Sequence, residues 1–562
     1  MSNPLFSSIR LRKPKKNRFN LSHNVKLTGK FGKLIPILCT PTLPGDTFKC
    51  NTELLVRFAP MMAPIMHKVD VYTHFFFVPN RLVWSHWKDF ITGGESGTEA
   101  PVYPRMRIDD KTSVSQLRQI FYNGSLADYL GFPVLNKEEL VMADNFIELD
   151  ALPFRAYNLI WNEYYRDQNV MHEVDIHKDD DGITAANVTL MCLKSRSWKK
   201  DYFTSALPFP QRGDDVELPL QGTAEMIYDA AADAFSIGQG LTVTRKTNGD
   251  APSPGAISSN GDYLKGVDGS FIYLGNDIGD PQSDKAVITS FKSDQLSKLI
   301  KGVDLSKVSS ATINELRRAI KAQEFLETAA RGGSRYIEQI YSYFGVRSSD
   351  ARLQRPEFLG GGKSPVVISD VLQTSQTTTG ENGSPQASPA GHAVSVQRSH
   401  SFKYFCEEHG FIIGIMSIMP KPAYQQGLPR LFQKFDRLDY YWPQFAHLGE
   451  QEIKGSEIYY NLNTPHGDMH TDWTFGYTPR YAEYKFMNDS VHGDFRDSLK
   501  FWHMGRIFAN APALNEAFLT NVEDAANRVF AVEDEEFDKI WINCQHNLVA
   551  LRPMPKYGTP LF

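Results

Sequence analysis

Residues 69–78 (VDVYTHFFFV) set Val69, Val71, Thr73, Phe75 and Phe77 against Asp70, Tyr72 and His74. This period-two alternation of β-branched and aromatic residues predicts a strand. Residues 540–550 repeat it near the other end of the chain, with Ile540, Ile542, Cys544, Leu548 and Ala550 on one face. Residues 411–419 (FIIGIMSIM) are continuously apolar, the pattern of a strand buried on both faces. Strands drawn from both ends, with long intervening segments, predict an antiparallel sandwich whose loops carry insertions.

Helical patterning is sparser. Thr312-Ile-Asn-Glu315 reads as a capping box, with Ile313, Leu316, Ile320 and Phe325 following at near-helical spacing and Gly332-Gly333 as the stop. In residues 152–169 (LPFRAYNLIWNEYYRDQN), Phe154, Tyr157, Trp161 and Tyr164/Tyr165 fall on one broad helical face among Arg155, Glu163, Arg166 and Asp167. No Ser, Cys or His nucleophile accompanies them. Aromatics and arginines carry interfaces, so this face is expected to pack against a partner.

Two stretches differ in character. Residues 247–284 hold seven Gly and three Pro, and Asp268-Gly269 lies between runs that contain Tyr263, Phe271 and Tyr273, a type I′ hairpin signal. Residues 221–307 therefore read as a surface insertion of hairpins and loops. Residues 369–398, rich in Ser, Thr, Gln and Gly, read as a mobile loop.

At 562 residues the chain exceeds the usual single core, so it holds several domains or one domain with large insertions. Five scattered cysteines without CxxC spacing argue against a disulfide framework or zinc site and for a reducing compartment such as the cytoplasm. The longest apolar run is too short to cross a bilayer, and no secretory signal is visible, so no membrane insertion is expected. Charge is segregated. Residues 1–33 carry nine Lys/Arg and no acid, so a formal net charge of −5 leaves −14 on the remainder. Arg10, Arg12, Lys13, Lys15, Lys16 and Arg18 cluster in RLRKPKKNR, with Phe19 and Phe31 nearby, the composition of a polyanion-binding arm that stacks bases.

Other candidate chemistry is weak. His466, Asp468, His470 and Asp472 have metal-ligand character, but Pro465 and Gly467 favour a polar loop. Asp179–Asp181 with Gly182 lacks the alternating ligands of a calcium loop and reads as a solvated turn. Gly360-Gly-Gly-Lys363-Ser364 lacks the first P-loop glycine, Glu357 standing there, and suits close backbone packing instead. The acidic run at 533–538 reads as a solvated face. No assembled catalytic motif, metal site or cofactor site is expected.

Residues 152–169 resemble a block in the major capsid proteins of the Microviridae, small single-stranded DNA phages, especially the gokushovirus branch. Residues 75–90 (FFFVPNRLVWSHWKDF), 201–213 (DYFTSALPFPQRG), 331–361 (RGGSRYIEQIYSYFGVRSSDARLQRPEFLGG), 439–451 (DYYWPQFAHLGEQ) and 475–485 (FGYTPRYAEYK) resemble further blocks, in the family's order. The resemblance implies an eight-stranded antiparallel viral jelly roll with long loop and helical insertions, in a virion. It implies about 60 copies in a T=1 icosahedral shell around circular single-stranded DNA. Residues 1–33 would then be a genome-facing arm, 34–220 and 308–562 the strands with their insertions, and 221–307 a threefold protrusion that meets the host. Subunit contacts would involve Phe154, Arg155, Tyr157, Trp161, Tyr164, Tyr165, Tyr336, Arg352 and Arg355. Family partners would be a DNA pilot protein, a small basic DNA-packaging protein, an internal scaffolding protein and a host cell-surface receptor. Two rivals make different demands. A carbohydrate-active sandwich needs a cleft with paired carboxylates, and a nonspecific single-strand-binding protein coats DNA without closed shells.

Overall fold

The computed structural model describes residues 15–108, 120–134, 147–185, 188–214, 216, 225–228, 242–245, 253–254, 263–265, 271–275, 287–288, 300–304, 312–333, 335–372, 389–460, 473–532, 534 and 537–557. The protein is mainly β. Its centre is built from β1 (Asn17–Asn20), β2 (His23–Gly29), β3 (Ile35–Thr42), β4 (Thr47–Phe58), β5 (Val69–Pro79), β6 (Glu357–Pro365), β7 (Val367–Leu372), β8 (Pro389–Phe405), β9 (Gly410–Pro420) and β10 (Ile540–Arg552). One antiparallel sheet runs β1–β10–β4–β8–β7, with β2 pairing the first half of β10. The other runs β6–β5–β9–β3.

The alternation in β5 and β10 does what its period dictates. Val71, Phe75 and Phe77 meet Phe48, Cys50, Leu54 and Val56 of β4, Ile412, Met416 and Ile418 of β9, and Ile542, Cys544 and Leu548 of β10 in a core between the sheets. The rings of Phe75 and Phe402 lie 5.0 Å apart across it. The two sheets then diverge. β4 alternates cleanly between buried and open positions along its length, so its sheet has one open face. β5 and β9 are buried almost throughout. Their opposite face, through Phe76, Val78, Ile413 and Ile415, joins a second core. That double burial is why residues 411–419 are apolar without alternation.

The second core is roofed by α1 (Leu152–Ile160), which continues as a π-helical turn over Trp161–Tyr165. The Asp150 carboxylate accepts from the Leu152 N–H at 2.9 Å, and Pro153 sits in the first turn, where no intrahelical donor is needed. The aromatic face expected to meet a partner subunit is instead interior to the chain. Phe154, Tyr157, Trp161 and Arg155 are at most 4% exposed. The Tyr157 hydroxyl donates to Leu34 O at 2.7 Å and the Trp161 indole to Ser195 O at 3.2 Å. A double-faced sheet needs an apolar roof, and this helix supplies it.

Other expectations resolve in detail. The capping box closes: the Thr312 N–H donates to Glu315, the Glu315 N–H to the Thr312 hydroxyl, and α2 (Ile313–Gly332) follows. The glycine run at 360–362 lies in β6, where a Cβ on Gly361 would stand 2.3 Å from Thr73 O, so close strand approach explains it. The 369–398 loop is narrower than expected, because β7 reaches Leu372 and β8 begins at Pro389, the two pairing through Leu372↔Pro389. Tyr263–Lys265 and Phe271–Gly275 form the expected hairpin. Its register, Lys265↔Phe271, is symmetric about position 268, which a two-residue Asp268-Gly269 turn does not give without a bulge; Asp268 and Gly269 lie outside the described residues. Asp215–Glu324 form a compact unit of their own, in which Glu225–Tyr228 pairs antiparallel with Ile300–Asp304.

One buried polar group in the sandwich core is pH-sensitive. His546 of β10, fully buried, accepts from or donates to Thr52 Oγ1 at 2.9 Å and lies 2.8 Å from Ile37 O, a pair of partners that the neutral ring satisfies completely. Burial pushes its pKa down to about 4. The folded value lies below the unfolded one, so the stabilisation is complete above pH ~6.5 and is lost as pH falls from there to about 4, on the order of 3 kcal/mol. Urea unfolding between those values should show this loss, and His546→Gln should flatten it; an unflattened profile would remove His546 as its source. Trp161→Ala should destabilise the monomeric chain by about 3–5 kcal/mol in the same assay, whereas an unchanged midpoint would mean that the indole is not core.

Candidate assembly surface and nucleic-acid arm

The basic arm is anchored at its root. β1 pairs with the end of β10 through Arg18↔Leu551 and Phe19↔Ala550, which turns Phe19 toward the sandwich and leaves Arg18 exposed. Lys15 and Lys16 are exposed just before it, and the Lys16 ammonium stands 4.9 Å from the centre of the Phe405 ring. Arg10, Arg12 and Lys13 lie outside the described residues, as does the 466–472 histidine loop.

The contact residues expected from sequence split into two groups. The α1 group is interior, and Arg155 is held by Val83 O and Asp180 O, each at 3.3 Å, with burial lowering the pKa of its guanidinium. Tyr164 and Tyr165 are half-buried: the Tyr164 ring lies 4.3 Å below the Arg355 guanidinium, and the Tyr165 hydroxyl is 2.7 Å from His74 Nδ1. Arg355 itself is buried between Asp350, at 3.4 Å, and Glu163, at 3.8 Å. Arg352 is exposed, and so is Tyr336 in α3 (Tyr336–Phe344), together with Tyr341 and Phe344 on the same short helix. The Asp179–Asp181 turn is more than solvated, since the Asp181 carboxylate takes the indole N–H of buried Trp84 at 2.6 Å and His86 at 2.9 Å.

A run of exposed large apolar side chains lies elsewhere among the described residues. Between residues 431 and 448, Leu431, Phe432, Phe435, Tyr440, Tyr441, Trp442 and Leu448 are 46–90% exposed, Phe435 the most. The segment is nevertheless firmly built. Three single 3₁₀ turns, Arg430–Phe432, Arg437–Asp439 and Pro443–Phe445, shape it. Asp439 accepts from the Phe435 and Asp436 N–H groups, and the Trp442 indole donates to Arg437 O at 2.8 Å. Its pin is Lys434, whose side chain is 2% exposed and whose ammonium is 3.1 Å from Glu483 and 3.7 Å from the centre of the Tyr484 ring. Burial opposes that charge, but Tyr484 and Glu483 outweigh it and hold the Lys434 pKa above its usual value. Large apolar side chains exposed close together along a surface segment that is itself hydrogen-bonded point to an interaction site. The sequence signal was present as aromatic density with neither a 2.0 nor a 3.6 period, which no regular element can bury.

A family model described as "Capsid protein (F protein)" matches residues 7–562. The chain is 36% identical to "Capsid protein VP1" of Chlamydia phage 1, over 99% of this chain and 97% of that protein. It is 34% identical to "Capsid protein VP1" of Bdellovibrio phage phiMH2K and 29% to that of Spiroplasma virus 4, in each case over 97% of this chain and 95% of the relative. Lying along the whole chain, these matches place the protein in the F-type capsid protein family of the Microviridae, alongside the gokushovirus capsid proteins, which are structural proteins and not enzymes.

Proposed function

We propose that the chain assembles into a T=1 icosahedral shell of about 60 copies around a single-stranded DNA genome. The observation that carries this reading is the rigid apolar cluster at residues 431–448, because a shell subunit must expose apolar surface on a preorganised scaffold. The strand order supports a jelly roll. Layers β2–β10–β4–β8 and β6–β5–β9–β3 face one another, and successive strands alternate between them from β2 to β5. Exposed Tyr336 and Arg352 extend the contact surface, while the arm from Arg10 to Arg18 faces the genome. The Asp215–Glu324 unit, in which strands 225–228 and 300–304 pair, would serve as a host-recognition module carrying Tyr263, Asp268, Gly269, Phe271 and Tyr273. A DNA pilot protein, a small basic packaging protein and an internal scaffolding protein would complete the particle, and a cell-surface receptor would meet the insertion. No helix among the described residues is long and apolar enough to cross a membrane; assembly would take place in the host cytoplasm.

Phe435→Ser with Trp442→Ser should leave the chain expressed and folded but abolish uniform closed particles, read by electron microscopy with nuclease protection of the enclosed DNA. Normal particles from this variant would move the interface elsewhere. Deleting residues 221–307 should give particles that form but do not adsorb to host cells, whereas wild-type adsorption would strip the insertion of that role.

A further inference from the structure

The open face of the β2–β10–β4–β8 sheet has a composition that folding does not explain. Strand register places its outward residues in rows. Arg18, Leu551, Thr47 and Phe405 form one, and Val549, Lys49 and Lys403 the next. Asn547, Asn51 and Ser401 follow, then Asn24, Gln545 and Glu53. Lys26, Asn543, Leu55 and Val396 make the fifth row, and Thr28, Trp541 and Arg57 the last. Arg18, Lys26, Lys49, Arg57 and Lys403 are all exposed, and Glu53 is the single carboxylate among these residues. None of the five cations is ion-paired to another described residue.

Three features go beyond a solvated cationic face. Lys49 lies directly opposite Lys403 on adjacent strands, a like-charge pairing that costs stability unless an anion sits between. The central strands present the amides of Gln545 and Asn547, which offer both donors and acceptors, beside Asn51 and Asn543, whose side-chain oxygens are buried. Trp541 and Phe405, 40% and 50% exposed, stand at opposite ends of the face. They are separated by about ten residues of strand, roughly 33 Å. A cleft of about 1000 Å³ opens at the Trp541 end, lined by Lys26, Leu55, Arg57, Asn543 and Trp541, with Asp128 also on its wall. Cations for phosphates, amides for base edges and aromatic rings for stacking are together the chemistry that binds single strands on a flat sheet. An acidic protein would use the cations but leave the rings and amides without a role.

We propose that this sheet face is a binding platform for single-stranded DNA, continuous with the arm whose root, Lys16, lies against Phe405. The proposal rests on the genome-enclosing reading above and assigns a second, folded surface to the same ligand. Binding of fluorescein-labelled oligothymidylate to the purified full-length chain, followed by anisotropy across a salt series, tests it. Lys49→Gln, Arg57→Gln and Lys403→Gln combined should make the log–log salt slope shallower by roughly 2. Trp541→Ala should weaken binding roughly tenfold without changing the slope, and Trp541→Phe should restore it. Thermal melting of each variant checks the fold, and Lys403→Gln alone, expected to lower the slope by about 0.7, serves if the triple variant is unstable. A wild-type slope in these variants, with a flattened one after removal of residues 2–18, would overturn the platform while sparing the genome reading. No DNA binding by the wild-type chain would overturn both. Competition by polyglutamate equal to that by DNA, with Trp541→Ala silent, would overturn the platform in favour of an acidic protein partner.

Discussion

The burial of β5 and β9, the central strands of their sheet, on both faces is the constraint from which the rest of the molecule follows. A sheet with two apolar faces needs two covers. The facing sheet provides one, and the inserted segments between strands provide the other, through Leu152, Phe154 and Tyr157 of α1 and Trp161 of the π-helical turn that follows it. The insertions are therefore structural to the sandwich and not ornaments on it. Buried polar groups follow the same logic: Tyr157 donates to Leu34 O and accepts from the Lys194 N–H at 3.1 Å, so an insertion is tied to the strand it roofs by bonds that would be costly to leave unmade.

Once the aromatic wealth of α1 is spent inward, the surface is governed by what cannot be buried. The 431–448 segment solves a local problem with an ammonium. Lys434 enters an apolar setting only because Glu483 and the Tyr484 ring meet it there, and an ion held that way fixes the loop in one conformation at some cost in stability. Rigidity of this kind is wasteful in an isolated monomer. For a surface that must dock repeatedly it lowers the ordering entropy of each contact.

How much was readable from sequence follows from the range of each interaction. β5, β9, β10 and the capped start of α2 were legible because their signals, alternation, a continuous apolar run and a Thr/Glu box, are local. The orientation of the 152–169 face was not, since an amphipathic helix shows that one side is apolar but not whether a second subunit or the same chain covers it; here Phe76 and Ile413, far away in sequence, decide. Tyr164 and Tyr165 also depart from ideal helical positions, because the π-turn inserts a residue into the repeat. The 431–448 cluster was visible as an unplaced excess of aromatics, and the cationic sheet face was invisible, because Lys49, Lys403, Lys26 and Arg57 come together only through pairing between strands from both ends of the chain.

The asymmetry between the two sheets is also a division of labour. The central strands β5 and β9, covered on both sides, have little surface left to use, so the exposed surface over them belongs to the insertions and loops. The sheet with one open face keeps cations and amides there, against a background in which the chain beyond residue 33 carries −14. Concentrating positive charge on one face of an otherwise acidic body orients the subunit in the field of a polyanion before any contact forms. The open sheet face therefore gives the subunit one electrically distinct side, and β1, with Arg18 exposed, lies at the edge of that same sheet.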